Sequence, residues 1–211
     1  MSSISDQGQI LTSAATITAR LSEALSTARN MSLGVLNAKA ISVRAGDVAK
    51  GFQALTVFID EMTSDVVSTI RGINQASLSI TRMAMHRSRL RSSRQRFYTA
   101  LEHGKDASHI HSLDRLMVKL DDDYTQLNQQ LIDELIHLDD LLDDILASLR
   151  PAGIIAANSR IEASRAQNVR ANLEVVADSL DESAKRIQEI VMQCKKDLNV
   201  VRAEVIREGI S

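Results

Sequence analysis

Apolar residues recur along most of the chain at alternating spacings of three and four positions. The first such series runs through Ile10, Ala14, Ile17, Leu21, Ala24, Ala28, Met31, Val35 and Ala38. This spacing places the side chains along one side of an α-helix, and its seven-residue repeat is typical of coiled coils. We call each such line of apolar positions a seam. The first seam therefore predicts a long helix that packs along its length.

Three further seams follow along the chain. They run from Phe52 to Met83, from Ile110 to Leu149 and from Leu173 to Val205. In the third seam the spacing gains one residue at Leu135, and a similar slip falls between Val176 and Ala184. Slips of this kind locally relax a left-handed supercoil. We therefore predict four long helices, with two local irregularities in the second half of the chain.

Breaks separate the seams in three places: the first two are polar and contain glycine, and the third is a weaker polar stretch. They predict a first helical hairpin over 1–101 with its tip near 46–51, a connecting loop at 102–108, and a second hairpin over 109–211 with its tip near 167–172. Short connections make successive helices antiparallel, so both tips should lie side by side. The predicted fold is all-α: a long antiparallel four-helix coiled-coil bundle that forms one structural domain.

Proline occurs once, at Pro151, inside the third predicted helix. A proline removes the hydrogen bond to the carbonyl four residues earlier, here that of Ala147, and kinks the helix. Gly153 follows two positions later. The helix should therefore bend or loosen at this point, either as a hinge or as a tolerated kink without a functional role.

Charge is distributed unevenly between the second and third helices. Residues 66–101 carry seven arginines and no acid, whereas residues 121–144 carry nine acids and no Lys or Arg. The two helices are therefore predicted to pair electrostatically, although a basic patch that recruits an acidic partner is the alternative. Folding about residue 105 predicts contacts of Arg87 with Asp123, Arg89 with Asp121 and Arg71 with Asp139.

Composition narrows the fold class and the type of partner. The 211 residues include one proline, 8 glycines and five aromatic residues, which is too few turn and strand residues for a β-sandwich or barrel. Lys plus Arg (25) nearly balances Asp plus Glu (27), so neither nucleic acid nor an anionic membrane surface is expected. The partner should be a protein.

The number of cysteines and the hydropathy of the chain indicate the cellular compartment of the protein. Cys194 is the single cysteine, so no internal disulfide can form, and no leader-like segment precedes Ser2. No apolar run approaches the roughly 18–20 residues of a membrane span. We expect a cytoplasmic protein without membrane insertion.

Catalytic and metal-binding motifs are missing from the sequence. It contains no phosphate-binding glycine loop, nucleophile elbow or zinc-type cysteine pair, so we expect no enzyme activity, no cofactor and no metal. His103, His109 and His111 cluster at the connecting loop, but no carboxylate or cysteine lies at helical ligand spacing beside them. A surface loop is the favoured interpretation, and a bundle that senses metal or a small ligand is the alternative.

The two tips resemble each other at an offset of 121 residues. Asn37, Arg44, Ala45, Val48, Asp60 and Glu61 recur as Asn158, Arg165, Ala166, Val169, Asp181 and Glu182. The alignment has no gaps, and it matches the two predicted turns with each other and the apolar seams with each other. It therefore predicts an internal duplication.

The tip sequences also follow a longer pattern. The second tip reads IIAANSRIEASRA over 154–166 and continues in register with VVAD over 175–178, while the first tip supplies LNA over 36–38, RAGD over 44–47 and KGF over 50–52. This pattern resembles the tip of the cytoplasmic signalling hairpin of methyl-accepting chemotaxis proteins. Outside roughly 31–62 and 152–183, only the heptad spacing supports the resemblance.

In that family the receptor is a homodimer whose two hairpins form a four-helix bundle. The resemblance implies that this chain fuses two degenerate hairpins in tandem and is a monomeric pseudo-dimer. One hairpin cannot bury its own seams, so a second one alongside is physically reasonable. The implied function is signalling through the tips, with the chemotaxis histidine kinase, its coupling protein and other receptors as the implied protein partners.

The resemblance also assigns roles to individual residues. Asn37 and Asn158 would hydrogen-bond across the tip. Glu162 and Arg165, three positions apart on one helical face, would form a charged contact network. Arg44 would act likewise in the first half, where Ile41 occupies the place of its acidic companion.

Three apolar residues, Phe52, Ile154 and Ile155, are expected to pack the tip. Eight residues before the tip asparagine, where the family places a phenylalanine that packs dimers into trimers, this chain has Arg29 and Arg150. Burying two arginines in that contact without partners would cost several kcal/mol. Receptor-style trimers are therefore not expected.

The degenerate motifs leave a different class of function open. A structural or adaptor bundle would keep the hairpin fold and lose contact with the kinase. Such a protein would bind partners along its sides and would be indifferent to substitutions at the tips.

Overall fold

A computed structural model of the protein describes residues 2–103, 113–166 and 169–209. The elements are α1 (Ser2–Ala45), a 3-10 turn (Gly46–Ala49), α2 (Lys50–His103), α3 (Asp114–Leu149), α4 (Ala152–Arg165) and α5 (Arg170–Gly209). These described elements are all helical, which confirms the all-α class. No helix among them combines the length and hydropathy of a membrane span.

The chain divides into two compact units, and each unit contains segments of both predicted hairpins. The terminal unit comprises Met1–Ile17, Gln75–Leu138 and Asp197–Ser211, and the tip unit comprises Thr18–Asn74 and Asp139–Lys196. The tip unit holds the bend between α1 and α2 and the bend between α4 and α5. It therefore contains the candidate site.

The buried positions of α2 follow an unbroken heptad pattern. They include Phe52, Thr56, Ile59, Thr63, Val66, Ile70, Ile73, Ser77, Ile80, Ala84 and Arg87. The predicted seam also passes through Leu55 and Thr69, which are only half-buried, and through Met62 and Ala76, which are buried. The sequence-based seam differs because it selects apolar residues, while polar Thr56, Thr63 and Ser77 occupy positions that face the interior.

Local hydrogen bonds let these threonines occupy the interior. The Thr63 hydroxyl donates to the carbonyl of Ile59 at 2.7 Å, and the Thr56 hydroxyl donates to the carbonyl of Gln53 at 2.7 Å. Because each buried hydroxyl has a partner within its own helix, neither needs one across the interface. The threonines then pack through their methyl groups.

A regular heptad repeat can be followed through both places where the sequence predicts a slip, although Leu127 of the predicted seam is itself buried, at 8% exposed. Asn128, 8% exposed, occupies the heptad position between Tyr124 and Leu131. In the same way Ala177, 1% exposed, lies between Leu173 and Leu180 and replaces the expected Val176, which is half-buried. A polar residue and a small residue at interior positions conceal a regular repeat.

The third predicted helix is interrupted at Pro151, as expected. The Arg150 amide donates to the carbonyl of Ala147 at 3.2 Å, which replaces the hydrogen bond that the proline cannot make. Helical bonding then resumes, with the Ile155 amide donating to the carbonyl of Pro151 at 2.9 Å.

The interruption leaves the heptad pattern intact. The buried residues on its two sides, Ile145, Leu149, Ala152 and Ala156, keep the spacing of four, three and four. The Leu149 carbonyl also accepts a hydrogen bond from the side chain of Gln188 on α5, at 3.4 Å. The same face of the chain therefore stays buried from α3 into α4.

The charged contacts differ in register from those expected between the second and third helices. Arg94, rather than Arg89, forms the ion pair with Asp121. Lys195, rather than Arg71, contacts Asp139, at 2.8 Å.

Arg87 also differs from its expected contact with Asp123. It is 4% exposed, and its guanidinium lies over the ring of Tyr124 at 5.6 Å from the centroid. The long arginine side chain reaches an aromatic face next to the expected carboxylate, and contact with such a face is favourable for a desolvated cation.

The predicted loop and tip boundaries shift slightly. Glu102 and His103 still belong to α2, and residues 104–108 lie outside the described residues, as do His109 and His111. Of the second tip, 167–168 also lie outside them, and 170–172 form the first turn of α5.

Candidate functional site

The first tip is closed by a change of backbone direction at Gly46. This residue follows the last residue of α1 and has φ of +66°, a left-handed conformation that favours glycine and commonly ends helices. The 3-10 turn follows, and α2 begins at Lys50. The Gln53 side chain then donates to the carbonyl of Ser42 at 2.8 Å, which caps the end of α1.

The second tip closes with backbone hydrogen bonds and an ion pair. The Ala166 amide donates to the carbonyl of Ala163 at 3.0 Å, and the Val169 amide donates to the carbonyl of Ala166 at 2.9 Å. Arg170, at the start of α5, binds Glu174 at 2.7 Å. The bend predicted by the sequence is therefore present between α4 and α5.

The two tips share one apolar cluster. Its buried members are Ala38, Ala49, Phe52, Ala163, Ala166 and Leu173, and they come from both bends. Phe52 has no exposed surface and is the largest side chain of the group. Four alanines allow the helices to approach closely, and one aromatic ring fills the space between them. The tips therefore pack against each other, as expected for Phe52.

Glu162 and Arg165, expected to form a charged contact, are paired in the structure. Arg165 Nη1 lies 2.9 Å from Glu162 Oε1, and the Arg165 side chain is 68% exposed. A Cβ atom added to Gly51 would lie 2.0 Å from Glu162 Oε2. Because Gly51 has no side chain, the carboxylate can lie against the first turn of α2, where the helix dipole favours negative charge.

The equivalent positions of the first tip carry different chemistry. Ile41, which corresponds to Glu162, packs partly buried against the shared apolar cluster. Arg44, which corresponds to Arg165, is exposed. The charged pair therefore belongs to the second tip, while the first tip presents a cation without an acidic neighbour three residues earlier.

The other residues predicted for the tip do not form the contacts that the sequence suggests. Asn37 and Asn158 are both exposed, and a hydrogen bond joining them is not among the contacts of the described residues. Ile155 is half-buried, whereas Ile154 is 69% exposed and does not pack the tip as expected. The reason is that α4 buries the face of Ala152, Ala156, Ser159 and Ala163, and Ile154 points to the other side.

A charged network across the second hairpin was not predicted. Arg160 of α4 binds Asp178 at 2.7 Å and Asp181 at 3.3 Å, and Lys185 binds Asp181 at 3.0 Å. The Lys185 hydrogen bond lowers the pKa of Asp181, partial burial opposes this, and Arg160 adds to the lowering. The hydrogen bond to Asp178 raises the pKa of Arg160. Only the Asp181 and Lys185 spacing could have been recognised in the sequence.

Both hairpins expose apolar side chains, but at different positions; in the second hairpin Ile154, Ile161 and Val175 are 69%, 53% and 66% exposed. Leu36, Val43, Val57 and Phe58 are 53%, 61%, 49% and 57% exposed. At the offset of 121, the second hairpin has Ala157, Ser164, Asp178 and Ser179 at these positions. At these four positions the first hairpin is apolar where the second is small or polar.

Metal ligands do not converge in the part of the chain that the structure describes. There, no group of three or more His, Cys, Asp or Glu side chains could hold a metal ion. His103 is exposed at the end of α2, and Cys194 is buried.

Comparisons of the chain with protein-family models, curated proteins and solved structures found no match.

Proposed function

We propose that this protein is a cytoplasmic, chemoreceptor-like signalling module that binds the chemotaxis histidine kinase, its coupling protein, or both through its packed tips. In this proposal α1, α2, the α3–α4 segment and α5 form an antiparallel four-helix bundle that imitates a receptor dimer within one chain. The observation that carries the proposal is the buried apolar cluster around Phe52, because it packs the two bends against each other.

The buried pattern of the two hairpins supports the internal duplication. Val35, Ala38, Ser42, Phe52, Thr56 and Ile59 are buried, and so are their equivalents Ala156, Ser159, Ala163, Leu173, Ala177 and Leu180. In a regular heptad repeat, one matching pair of buried positions determines the following pairs, so the number of matches is not informative. The informative feature is that the buried face has the same phase in both hairpins. The phase agrees in both helices of each hairpin, across two different turns.

The tip supplies suitable groups for a polar protein contact. The Arg165 guanidinium is exposed and already oriented by Glu162, so less side-chain freedom is lost when a partner carboxylate or carbonyl binds it. Arg44, Asn37 and Asn158 add exposed donors. A partner that spans both tips would contact all of them.

A binding assay with kinase and coupling protein from the same cell tests the proposal. The purified chain should retain both proteins or one of them, and Glu162→Ala or Arg165→Ala should weaken retention by about tenfold or more. Ser164→Ala, an exposed position between the two, is the matched control and should bind like the wild type.

The same assay separates the proposal from the adaptor alternative. Absence of binding, or binding that is unchanged in both Glu162→Ala and Arg165→Ala, would contradict a role of the tips. Unchanged binding would instead favour a bundle that contacts its partners along its sides.

A further inference from the structure

The outer face of α2 in the terminal unit carries a line of basic and apolar side chains. Its members are exposed and follow one another at spacings of four and three positions: Leu78, Arg82, Met85, Arg89, Ser92 and Arg96. We call this set the basic stripe. Leu78 and Met85 are 57% and 46% exposed. Because residues three and four positions apart are neighbours on a helix surface, the stripe runs along one side of α2.

The basic stripe is itself a seven-residue repeat. Its three arginines are seven positions apart, and so are Leu78, Met85 and Ser92. At ~1.5 Å per residue, the arginines recur every ~10.5 Å along the helix. In the terminal unit α2 therefore has two heptad faces. One is buried within the unit, and the other is exposed and alternates arginine with an apolar or small residue.

The arginines of the stripe are not neutralised within the described part of the chain. Arg82, Arg89 and Arg96 form no ion pair there, whereas Arg94 pairs with Asp121. Acids are also missing from α2 itself around the stripe, since residues 66–101 contain none. The stripe is therefore a continuous line of positive charge that is available to a partner.

The stripe points away from the acids of the neighbouring helix α3. Arg94 faces α3, where it pairs with Asp121 and lies over the ring of Tyr124 at 5.3 Å from the centroid. Arg96 lies two residues further along α2, which turns it by about 200° around the helix axis, and Arg89 lies one heptad before Arg96. The body of α2 therefore separates the stripe from the acids of α3.

The repeat of the stripe determines the shape of partner that fits it. An α-helix with acids seven positions apart presents carboxylates at the same interval of ~10.5 Å, and apolar residues between them can pack on Leu78 and Met85. A membrane surface or a nucleic acid has no such repeat. The stripe offers only two apolar side chains for entry into a membrane and no aromatic side chain for stacking on bases.

The exposed face of α3 in a second copy does not have this pattern. Arg115 and Lys119 lie on that face together with Asp122 and Asp133. If it packed on the basic stripe, cations would meet cations as well as acids. This mixed charge favours a helix of another protein over a second copy of this chain.

We propose that the basic stripe is a docking site for an acidic amphipathic α-helix of a partner protein. The acids of that helix, seven positions apart, pair with Arg82, Arg89 and Arg96, and its apolar residues pack on Leu78 and Met85. The site belongs to the terminal unit alone, so the inference does not rest on the proposed function of the tips.

Binding of a synthetic helix to the full chain tests the proposal. The probe is a labelled peptide of four heptads in which leucine and glutamate alternate along one face, and its control has the same composition with the glutamates on the opposite face. Fluorescence anisotropy should show that the chain binds the probe about tenfold or more tightly than the control. Raising the salt from about 50 mM to about 500 mM should weaken binding of the probe by about tenfold or more.

Charge reversal locates the binding to the stripe. Arg82→Glu with Arg89→Glu should weaken binding of the probe by about tenfold or more. Arg115→Glu with Lys119→Glu changes the net charge by the same amount on another face of the same unit, and this control should bind like the wild type. A third peptide, with lysine in place of glutamate, should bind the Arg82→Glu with Arg89→Glu variant about tenfold more tightly than it binds the wild type. This gain of binding also shows that the variant is folded.

Four results would overturn the proposal. The first is equal binding, or no binding, of the probe and its same-composition control. The second is a lysine peptide that does not prefer the variant. The third is binding of the wild type to vesicles of anionic lipid, or to RNA, that is tighter than binding of the probe and disappears in Arg82→Glu with Arg89→Glu. The fourth is self-association of the wild type in sedimentation that the same two substitutions abolish, because a second copy would then cover the stripe.

Discussion

The two tips lie at an offset of 121 residues in the sequence and are closed by partly different contacts. The first uses backbone devices, with left-handed Gly46 and the Gln53 amide on the carbonyl of Ser42. The second also uses backbone hydrogen bonds, from the amides of Ala166 and Val169, and its hairpin adds ion pairs in which Arg160 binds Asp178 and Asp181. The position equivalent to Arg160 is Lys39, which is exposed. The two closures therefore differ, although both bends contribute to one buried cluster.

The comparison shows which constraints the interior imposes. Phe52 and Leu173 are both buried at the tips, as are Thr56 and Ala177 one turn later. These pairs share burial and heptad phase but not chemistry. Interior positions require a side chain that fits, whereas surface positions such as Val57 and Asp178 are free to differ. A partner that contacts both tips would therefore meet two different surfaces.

The largest effect is expected from truncating the shared cluster. Phe52→Ala should lower the free energy of unfolding by about 3–5 kcal/mol, because it removes a buried ring and leaves a cavity between both tips. Urea unfolding measures the change. Phe58→Ala is the matched control, since Phe58 is 57% exposed, and its effect should stay within about 0.5 kcal/mol. Equal losses at both positions would contradict the proposed role of Phe52.

Two glycines of the first hairpin should respond with opposite sign. Gly46→Ala should destabilise by about 1–2 kcal/mol, because its φ of +66° is strained for alanine. Gly34→Ala, in the middle of α1 with no atom within 4 Å of the added Cβ, should stabilise by about 0.5–1 kcal/mol. Thermal or urea unfolding of both variants checks this. A loss of stability in Gly34→Ala similar to that in Gly46→Ala would mean that steric contact of the added methyl group, and not backbone conformation, determines the effect.

Removal of a buried hydroxyl in the terminal unit is expected to change the free energy of unfolding by a similar amount. Ser77 Oγ has no hydrogen-bond partner among the described residues and borders a cavity of about 10 Å³. The equivalent position is Leu198, also buried. Ser77→Ala should stabilise the protein by about 1 kcal/mol, because it removes an unsatisfied polar group. Destabilisation in urea unfolding would show that the hydroxyl has a partner in solution.

A smaller effect is expected for the ion pairs of the second tip. Arg160→Ala should lower the free energy of unfolding only slightly, because its ion pairs are screened by solvent, and Lys39→Ala, at the corresponding position, should lower it by less still. Chemical denaturation of the two variants in low salt measures the difference. The prediction fails if the Lys39 substitution is the more damaging of the two.

The smallest effect concerns pH. The pKa of Asp181 is lowered in the folded state, so its ionised form adds stability above the ordinary titration range of an aspartate, and this contribution disappears as the pH falls through the lowered pKa. The gap in melting temperature between wild type and Asp181→Asn should therefore be present at pH 7 and close below about pH 4. A gap that widens on acidification would contradict this sign.

Much of the helical architecture could be predicted from the sequence, because large aliphatic residues mark most heptad positions. The errors have a common cause. Asn128, Ala177, Thr56 and Thr63 are polar or small but occupy the interior, so a search for apolar residues displaces the seam. Their burial depends on local hydrogen bonds or on close helix packing, which the one-dimensional pattern does not reveal.

The predictable contacts of the candidate site are those between residues that are close in the sequence. Glu162 and Arg165 are three residues apart on one helix, and their ion pair follows from that spacing. The contacts of Arg160 with Asp178 and of Gly51 with Glu162 join different helices. They depend on the register between helices, which the periodicity of a single helix does not determine.

A designed disulfide tests the side-by-side packing of the tips most directly. A Cβ on Gly51 would lie 3.1 Å from Cγ of Glu162, which is close enough for two cysteines to bridge at their usual Cβ separation of about 3.5–4.5 Å. In a Cys194→Ser background, Gly51→Cys with Glu162→Cys should form an intramolecular disulfide under mild oxidation. Gly51→Cys with Ser164→Cys, on another face of α4, should not. Failure of the first pair, or equal reaction of both, would contradict the packed tips.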